Sequence, residues 1–382
     1  MEALLNTIWV MPKSLTGVGP LVTAFSYTSL ETTTKARRPG PAFILIEINQ
    51  PGDFDSAAVI HNENTGQNMN VPFHPLELPQ SRRWISQETS AEWFKQRIRI
   101  LRCNPAFVTM AVNYAQNVVD LFKGRYLANR AMANVARQTI CTAILSLYFE
   151  QPERTGPFLS SIQNLTTAMR LCSRNTAAAN VVLLERVGLV TRMENSEDRR
   201  WRHIVPTEQL MTEVEGFLRV NLAAADMLFP ARGYCALLDE SRHVLERCFA
   251  NSIHSLLVMN SLDLDLQGSE IFNTSDGGKI LLLKLMSMRD ASQLVDEDTV
   301  EFPYDEVGTL FGLSRTHVRR LMKKAEAGGF VRLLQDGGRR VQILPLLETL
   351  FENVVASNVA RAQFDIHLAN GDYDLLPVDP FA

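Results

Sequence analysis

The chain carries one motif twice at a fixed spacing, and this duplication limits its possible folds more than any other feature. Ser173-Arg174-Asn175-Thr176 lines up with Ser314-Arg315-Thr316-His317, an offset of 141 (314 less 173). At the same offset Glu185 meets Glu326, Gly188 meets Gly329, and Leu189-Val190 meets Phe330-Val331. The surrounding texture repeats too: long amphipathic helices, a compact run of short elements closing at Pro206 or Pro345, then another long helix. A fixed offset carried by a cap, a helix end and a strand start predicts one supersecondary design used twice.

The 382 residues are enough for two or three domains. The first 80 or so hold eight of the seventeen prolines and little helical periodicity. Within them 42–48 (AFILIEI) reads as one buried strand between Pro-Gly breaks. From Gln87 apolar residues recur at three- and four-residue intervals, predicting helices over 91–101, 106–122, 131–149 and 207–228. After Pro230-Ala231-Arg232-Gly233 the order begins again, with helices at 241–259, 279–288 and from Pro345 to about 369. The expected organisation is mainly α. It comprises an N-terminal region of unknown role (1–86), irregular and β-containing, two tandem winged helix-turn-helix domains (87–229 and 230–369) and an acidic, mobile tail (370–382).

The second copy is the sharper. Residues 305–311 predict a short helix with Val307, Leu310 and Phe311 on one face. In the turn that follows, Gly312 supplies a positive φ, Leu313 plugs the core and Ser314 caps the next helix. That helix, 315–327, turns Val318, Leu321, Met322 and Ala325 inward and Arg315, Thr316, His317, Arg319, Arg320, Lys323 and Lys324 outward. One apolar stripe backed by a cationic face suits a major-groove reader: arginines near the N-terminal end can grip guanine edges, and Lys323 and Lys324 can meet phosphates. Gly328-Gly329 stops the helix, and strands at 330–334 and 340–344 flank a turn containing Asp336-Gly337. Arg339 and Arg340 are placed at the base of that hairpin as wing contacts.

The first copy follows the same plan. A short helix is expected at 165–171, a turn at Cys172-Ser173, a recognition helix at 174–187, and wing strands at 189–193 and 201–205. Its candidate DNA contacts are Arg174, Asn175, Thr176 and Asn180 on the helix and Arg199, Arg200 and Arg202 on the wing; Ser314 joins the set in the second copy. This helix is poor in charge, with Ala177, Ala178 and Ala179 where longer polar side chains would be expected.

The stretch LLERVGLVTRMENSEDRRWRHIVPTEQL resembles the recognition-helix, wing and following-helix segment of the MarR family of transcription factors. The Asp-Arg-Arg that marks the wing in that family falls here on Asp198, Arg199 and Arg200. The second motif, GLSRTHVRRLMKKAEAGGFVRLL, is similar to the helix-turn-helix of the Crp and GntR families. The resemblance implies a wing arginine in the minor groove, flanking helices that build a dimer interface, and a small-molecule effector between helices. MarR proteins are about half this length, so a tandem chain can fold as its own pseudo-dimer or pair as a homodimer.

The remaining features exclude other classes. With a formal net charge of -4 the chain is not a bulk polycation, so any nucleic-acid contact must be local. Its five cysteines form no CxxC pair and its seven histidines no spaced set with acids, so neither a disulfide framework nor a metal site is expected. No GxSxG, HExxH, P-loop or dinucleotide fingerprint is present, which predicts a non-enzyme without cofactor. No segment has the length to span a bilayer, and 1–16 makes a poor secretory signal, so a cytoplasmic protein without membrane association is expected. The reading is a sequence-specific regulator binding double-stranded DNA. Two rivals stay open, a winged-helix protein-interaction module and a plasmid replication initiator.

Overall fold

In the computed structural model, residues 22–27, 42–47, 58–62, 67–71, 87–194, 202–262, 269–291 and 299–371 are described. The chain divides into two units, Met1–Trp84 and Ile85–Ala382. In the first, β1 (Val22–Tyr27) pairs antiparallel with β2 (Ala42–Glu47), Val22 opposite Glu47, and β3 (Ala58–Asn62) with β4 (Gln67–Val71), Asn62 opposite Gln67. The strand expected at 42–48 is β2; its partner β1 and the second pair were not anticipated.

The second unit is mainly helical. It opens with α1 (Gln87–Cys103), α2 (Phe107–Phe122) and α3 (Tyr126–Ala131). Next come α4 (Val135–Glu150), α5 (Leu159–Ala168), α6 (Arg174–Arg186), β5 (Val190–Glu194), β6 (Arg202–Pro206) and α7 (Glu208–Leu228). The second half has α8 (Tyr234–Asp239), α9 (Arg242–Ser261), α10 (Glu270–Thr274) and α11 (Gly278–Ala291). It continues through β7 (Thr299–Val300), α12 (Tyr304–Phe311), α13 (Arg315–Ala327), β8 (Val331–Gln335), β9 (Arg340–Ile343) and α14 (Pro345–Asn370). No helix among the described residues is long and apolar enough to cross a membrane.

Side-chain caps start many of these helices. Asn134, Ser173, Thr207, Ser241 and Ser314 each accept a backbone N–H three residues on. The Asn134 cap corrects the single helix expected over 131–149: its extended backbone (φ -137, ψ 169) separates α3 from α4. The short helix expected at 165–171 lies at Leu159–Ala168 instead. The turn after it has no glycine, so Arg170 itself takes a left-handed backbone (φ 54).

The duplication extends to every short element. The starts of α6 and α13 keep the offset of 141 (315 less 174), and so do those of β5 and β8 (331 less 190). In the second half β7 adds a third strand, with Val300 opposite Val341 of β9. In the first half a single residue does the same, Phe158 bridging His203 of β6. Both halves therefore run helix, short strand, two helices, hairpin and long helix.

The helices preceding these runs are exchanged. α2 packs against α11 of the second half, and α9 packs against α4 of the first. α7 lies on α2, α14 on α9, and α7 and α14 pack against each other. The core of the first half is thus completed by Phe249, Ile253 and Leu256 from α9, which belong to one apolar cluster with Ile140, Ile144, Val181 and Leu184. Burying a side chain of this size contributes about 1.5–3 kcal/mol, so each half depends on a helix encoded in the other.

Candidate nucleic-acid interface

α13 has the periodicity that its sequence demands. Val318, Leu321, Met322 and Ala325 are buried, all four no more than 2% exposed, while Arg315, Thr316, Arg319, Arg320, Lys323 and Lys324 are exposed. The helix begins where Ser314 Oγ accepts the His317 N–H, fixing the end at which base-reading side chains would enter a groove.

The hairpin beside it is held by a close backbone approach. The Phe302 N–H donates to the Gly338 carbonyl at 2.7 Å, and Gly338 has φ +80; a Cβ there would lie 2.0 Å from the Phe302 carbonyl oxygen. Only glycine fits. Gly337, next to it in the turn, lies beside the Arg315 guanidinium: a Cβ at Gly337 would be 3.9 Å from Nη2. Arg339 and Arg340 are exposed, but they follow the turn directly and Arg340 pairs with Gln335. They stand at the tip of the hairpin, not its base, because the strands are only five and four residues long. Arg332, not anticipated, is a further exposed cation on β8.

None of Arg315, Arg319, Lys323, Lys324, Arg339 and Arg340 makes an ion pair with an acid among the described residues. The exposed acids near them are Asp305 and Glu306 on α12, Glu326 and Asp336. Glu326 is engaged in accepting the Leu333 N–H at 2.8 Å. His317 is the exception to the outward face: it is half-buried, its Nε2 meets the Asp276 carbonyl at 2.7 Å, and Arg320 Nη2 reaches its Nδ1 at 3.3 Å. With the carbonyl as acceptor, Nε2–H donates and Nδ1 is left to accept from Arg320. His317 is therefore turned onto the loop before α11 of its own half, the loop that in turn meets α4 of the first half, and away from the exposed face.

α6 presents a weaker surface. Asn180, expected to read bases, is 8% exposed and accepts from Arg137 Nε at 3.2 Å. It lies on the stripe of Ala177, Val181 and Leu184, all buried, so the periodicity of the helix turns it inward. Arg174 is exposed but held sideways by Asn164 Oδ1 (2.6 Å) and Gln163 Oε1 (3.2 Å) on α5. The Thr176 hydroxyl shares a 2.9 Å hydrogen bond with Ser173, which leaves Asn175 as the exposed side chain without such a contact. On the hairpin Arg192 pairs with Glu185 and Arg202 with Glu194. Arg199 and Arg200 lie outside the described residues.

A polar tie joins the two helices across the molecule. Arg137, which holds Asn180 of α6, also reaches Asp276 Oδ1 at 3.3 Å. Asn134 Nδ2 donates to the same oxygen at 2.9 Å, and the Gly277 N–H donates to the Ala133 carbonyl at 2.8 Å. Asp276 in turn offers its carbonyl to His317 of α13.

Among the described residues no group of three or more His, Cys, Asp and Glu side chains could hold a metal, and all five cysteines are free. No family model, no curated protein and no solved structure matches the chain.

Proposed function

We propose that the chain is a sequence-specific regulator that binds double-stranded DNA through two unequal winged helix-turn-helix units, folded against each other as a pseudo-dimer within one polypeptide. The observation that carries this reading is the contrast between α13 and α6. α13 has a fully buried back and a front of exposed cations free of acidic partners, with the hairpin arginines beside it. On α6 and its hairpin Arg174, Arg192 and Arg202 are held by carboxylates or amides, which leaves Arg186, in the last turn of α6, as an exposed arginine. α13 would enter the major groove, Arg339 and Arg340 would touch the adjacent backbone or minor groove, and α6 would contact DNA weakly. The MarR-like character of 183–210 agrees with this design, and the departure lies in the poverty of α6.

Selection of bound duplexes from a random pool at physiological salt tests the reading. The expected result is an asymmetric site with one strongly constrained half, and an affinity that falls steeply with salt. Absence of salt-dependent binding would remove the regulator and favour an interaction module.

A further inference from the structure

Between Asp120 and Glu150 the chain has no acidic residue, while Lys123, Arg125, Arg130 and Arg137 fall inside the run. Two of these cations are engaged: Arg125 pairs with Glu213 at 2.6 Å, and Arg137 with Asp276. Lys123 and Arg130 are exposed, and neither makes an ion pair with an acid among the described residues. The acid nearest to them in sequence, Asp120, accepts from Gln116 at 3.0 Å. On α3 Tyr126, Leu127 and Arg130 stand three and four positions apart and share the outer face, with Tyr126 49% and Leu127 67% exposed. The inner side of the helix is closed. Ala128 and Ala131 are buried, and Asn129 borders a cavity of about 160 Å³ that Gln138 of α4 and its counterpart Lys279 of α11 also line.

α3 packs against both α12 and α6. At its start the Gly124 N–H donates to the Leu310 carbonyl at 3.1 Å, and a Cβ on Gly312 would lie 3.2 Å from that of Tyr126. The helix therefore begins on the turn that leads into Ser314 and Arg315. At its end Ala131 shares an apolar cluster with Ala177, in the first turn of α6, and the Arg130 carbonyl accepts from Arg137, which also holds Asn180. A helix this short rises only about 9 Å, so α3 occupies the gap between the groove-entry ends of α13 and α6. The second half has no equivalent. At the offset of 141, Lys123, Arg125 and Arg130 become Leu264, Leu266 and Ile271, and no Lys or Arg occurs between Arg247 and Lys279. Its α10 instead buries Phe272 against Phe330, with ring centroids 5.5 Å apart. We propose that α3 is a third DNA contact, an inference that rests on the reading of α13 as a groove reader. Lys123 and Arg130 neutralise phosphates in the stretch of duplex between those facing α13 and α6, and Tyr126 and Leu127 lie against its sugars. Contacts of this kind fix position and register without reading sequence.

Fluorescence anisotropy on the full chain, with the selected duplex and a scrambled duplex of the same length, tests the contact. The double variant Lys123→Ala/Arg130→Ala should bind both duplexes about tenfold more weakly at physiological salt, with the circular dichroism spectrum unchanged. Its slope of log affinity against log salt should be smaller by about 2, one for each phosphate contact. A control, Lys95→Ala/Arg99→Ala, removes the same charge from the exposed side of α1, which packs on α9 and α14, and should leave the slope unchanged. Hydroxyl-radical footprinting should show sugars beside the constrained half-site protected by the parent chain and open to cleavage with Lys123→Ala/Arg130→Ala. Full affinity and an unchanged slope in the folded double variant, protection that persists in it, or an equal fall in the α1 control would each overturn the third contact and leave the reading of α13 standing. A parent chain without salt-dependent binding would overturn both.

Discussion

Arg137 and Asp276 lie 3.3 Å apart in an ion pair that joins α4 of one half to the turn before α11 of the other. The arginine does more than pair, because it also holds the buried Asn180 and the Arg130 carbonyl. The two partners should therefore be unequal. Asp276→Ala removes a half-exposed pair and is expected to cost under about 1 kcal/mol. Arg137→Ala also leaves the Asn180 amide oxygen unsatisfied, and about 1–3 kcal/mol is expected. Urea denaturation of both single variants and the double variant measures the difference.

The contrast between the two helices predicts unequal effects on DNA binding. Arg319→Ala should cost about 1–3 kcal/mol on the selected site and relax preference at one position. Lys323→Ala should weaken all sequences alike and reduce the salt slope by about 1. Asn175→Ala on α6 is expected to fall below both. Fluorescence anisotropy at two salt concentrations distinguishes these outcomes.

Gly338→Ala places a methyl group on the Phe302 carbonyl and strains a left-handed backbone. A loss of about 1–3 kcal/mol from the backbone alone is expected, and the clash adds to it. Thermal unfolding should show a lower midpoint, accompanied by loss of hydrogen-exchange protection in β7 and β9.

Burial pushes the Asp365 carboxyl up to about 7, with Arg361 and Ser255 opposing the shift. Between its ordinary value of 3.8 and about 7 the folded chain holds a proton that the unfolded chain releases. Its contribution to stability is therefore full below the lower value and is lost as pH rises to the upper one. Asp365→Asn should flatten that part of the profile. Lys279 acts in a different window: its depressed value makes stability rise with pH between about 8 and 10.5. Lys279→Gln should remove that rise. Urea midpoints measured from pH 4 to 10 check both.

Much of this architecture was legible wherever a cap and a stop bracket a strong apolar period. Ser314 and Gly328 enclose a helix whose bounds, 315 to 327, were read directly. Contrast was lower in α5, where LSSIQNLTTA mixes polar and apolar residues, and the helix was placed too late in the chain, at 165 in place of 159. Asn180 was misjudged from its chemistry, although its spacing from Ala177 and Leu184 already put it on the inner face. The exchange of α2 and α9 had no local signal. An amphipathic stripe states that a face will be covered, not by which helix, and both candidates are apolar. The cavity was hidden for the same reason, since its walls come from segments as distant in the chain as those of Val118 and Arg361.

Two identical subunits must set the same residue on either side of their axis, so a lysine at such a position would confront its own copy. A covalently joined pair escapes that constraint. With Gln138 on one wall and Lys279 on the other, each side has been able to change without dragging its twin along. The space between the halves is therefore walled by unlike groups, where a symmetric assembly would present the same group twice.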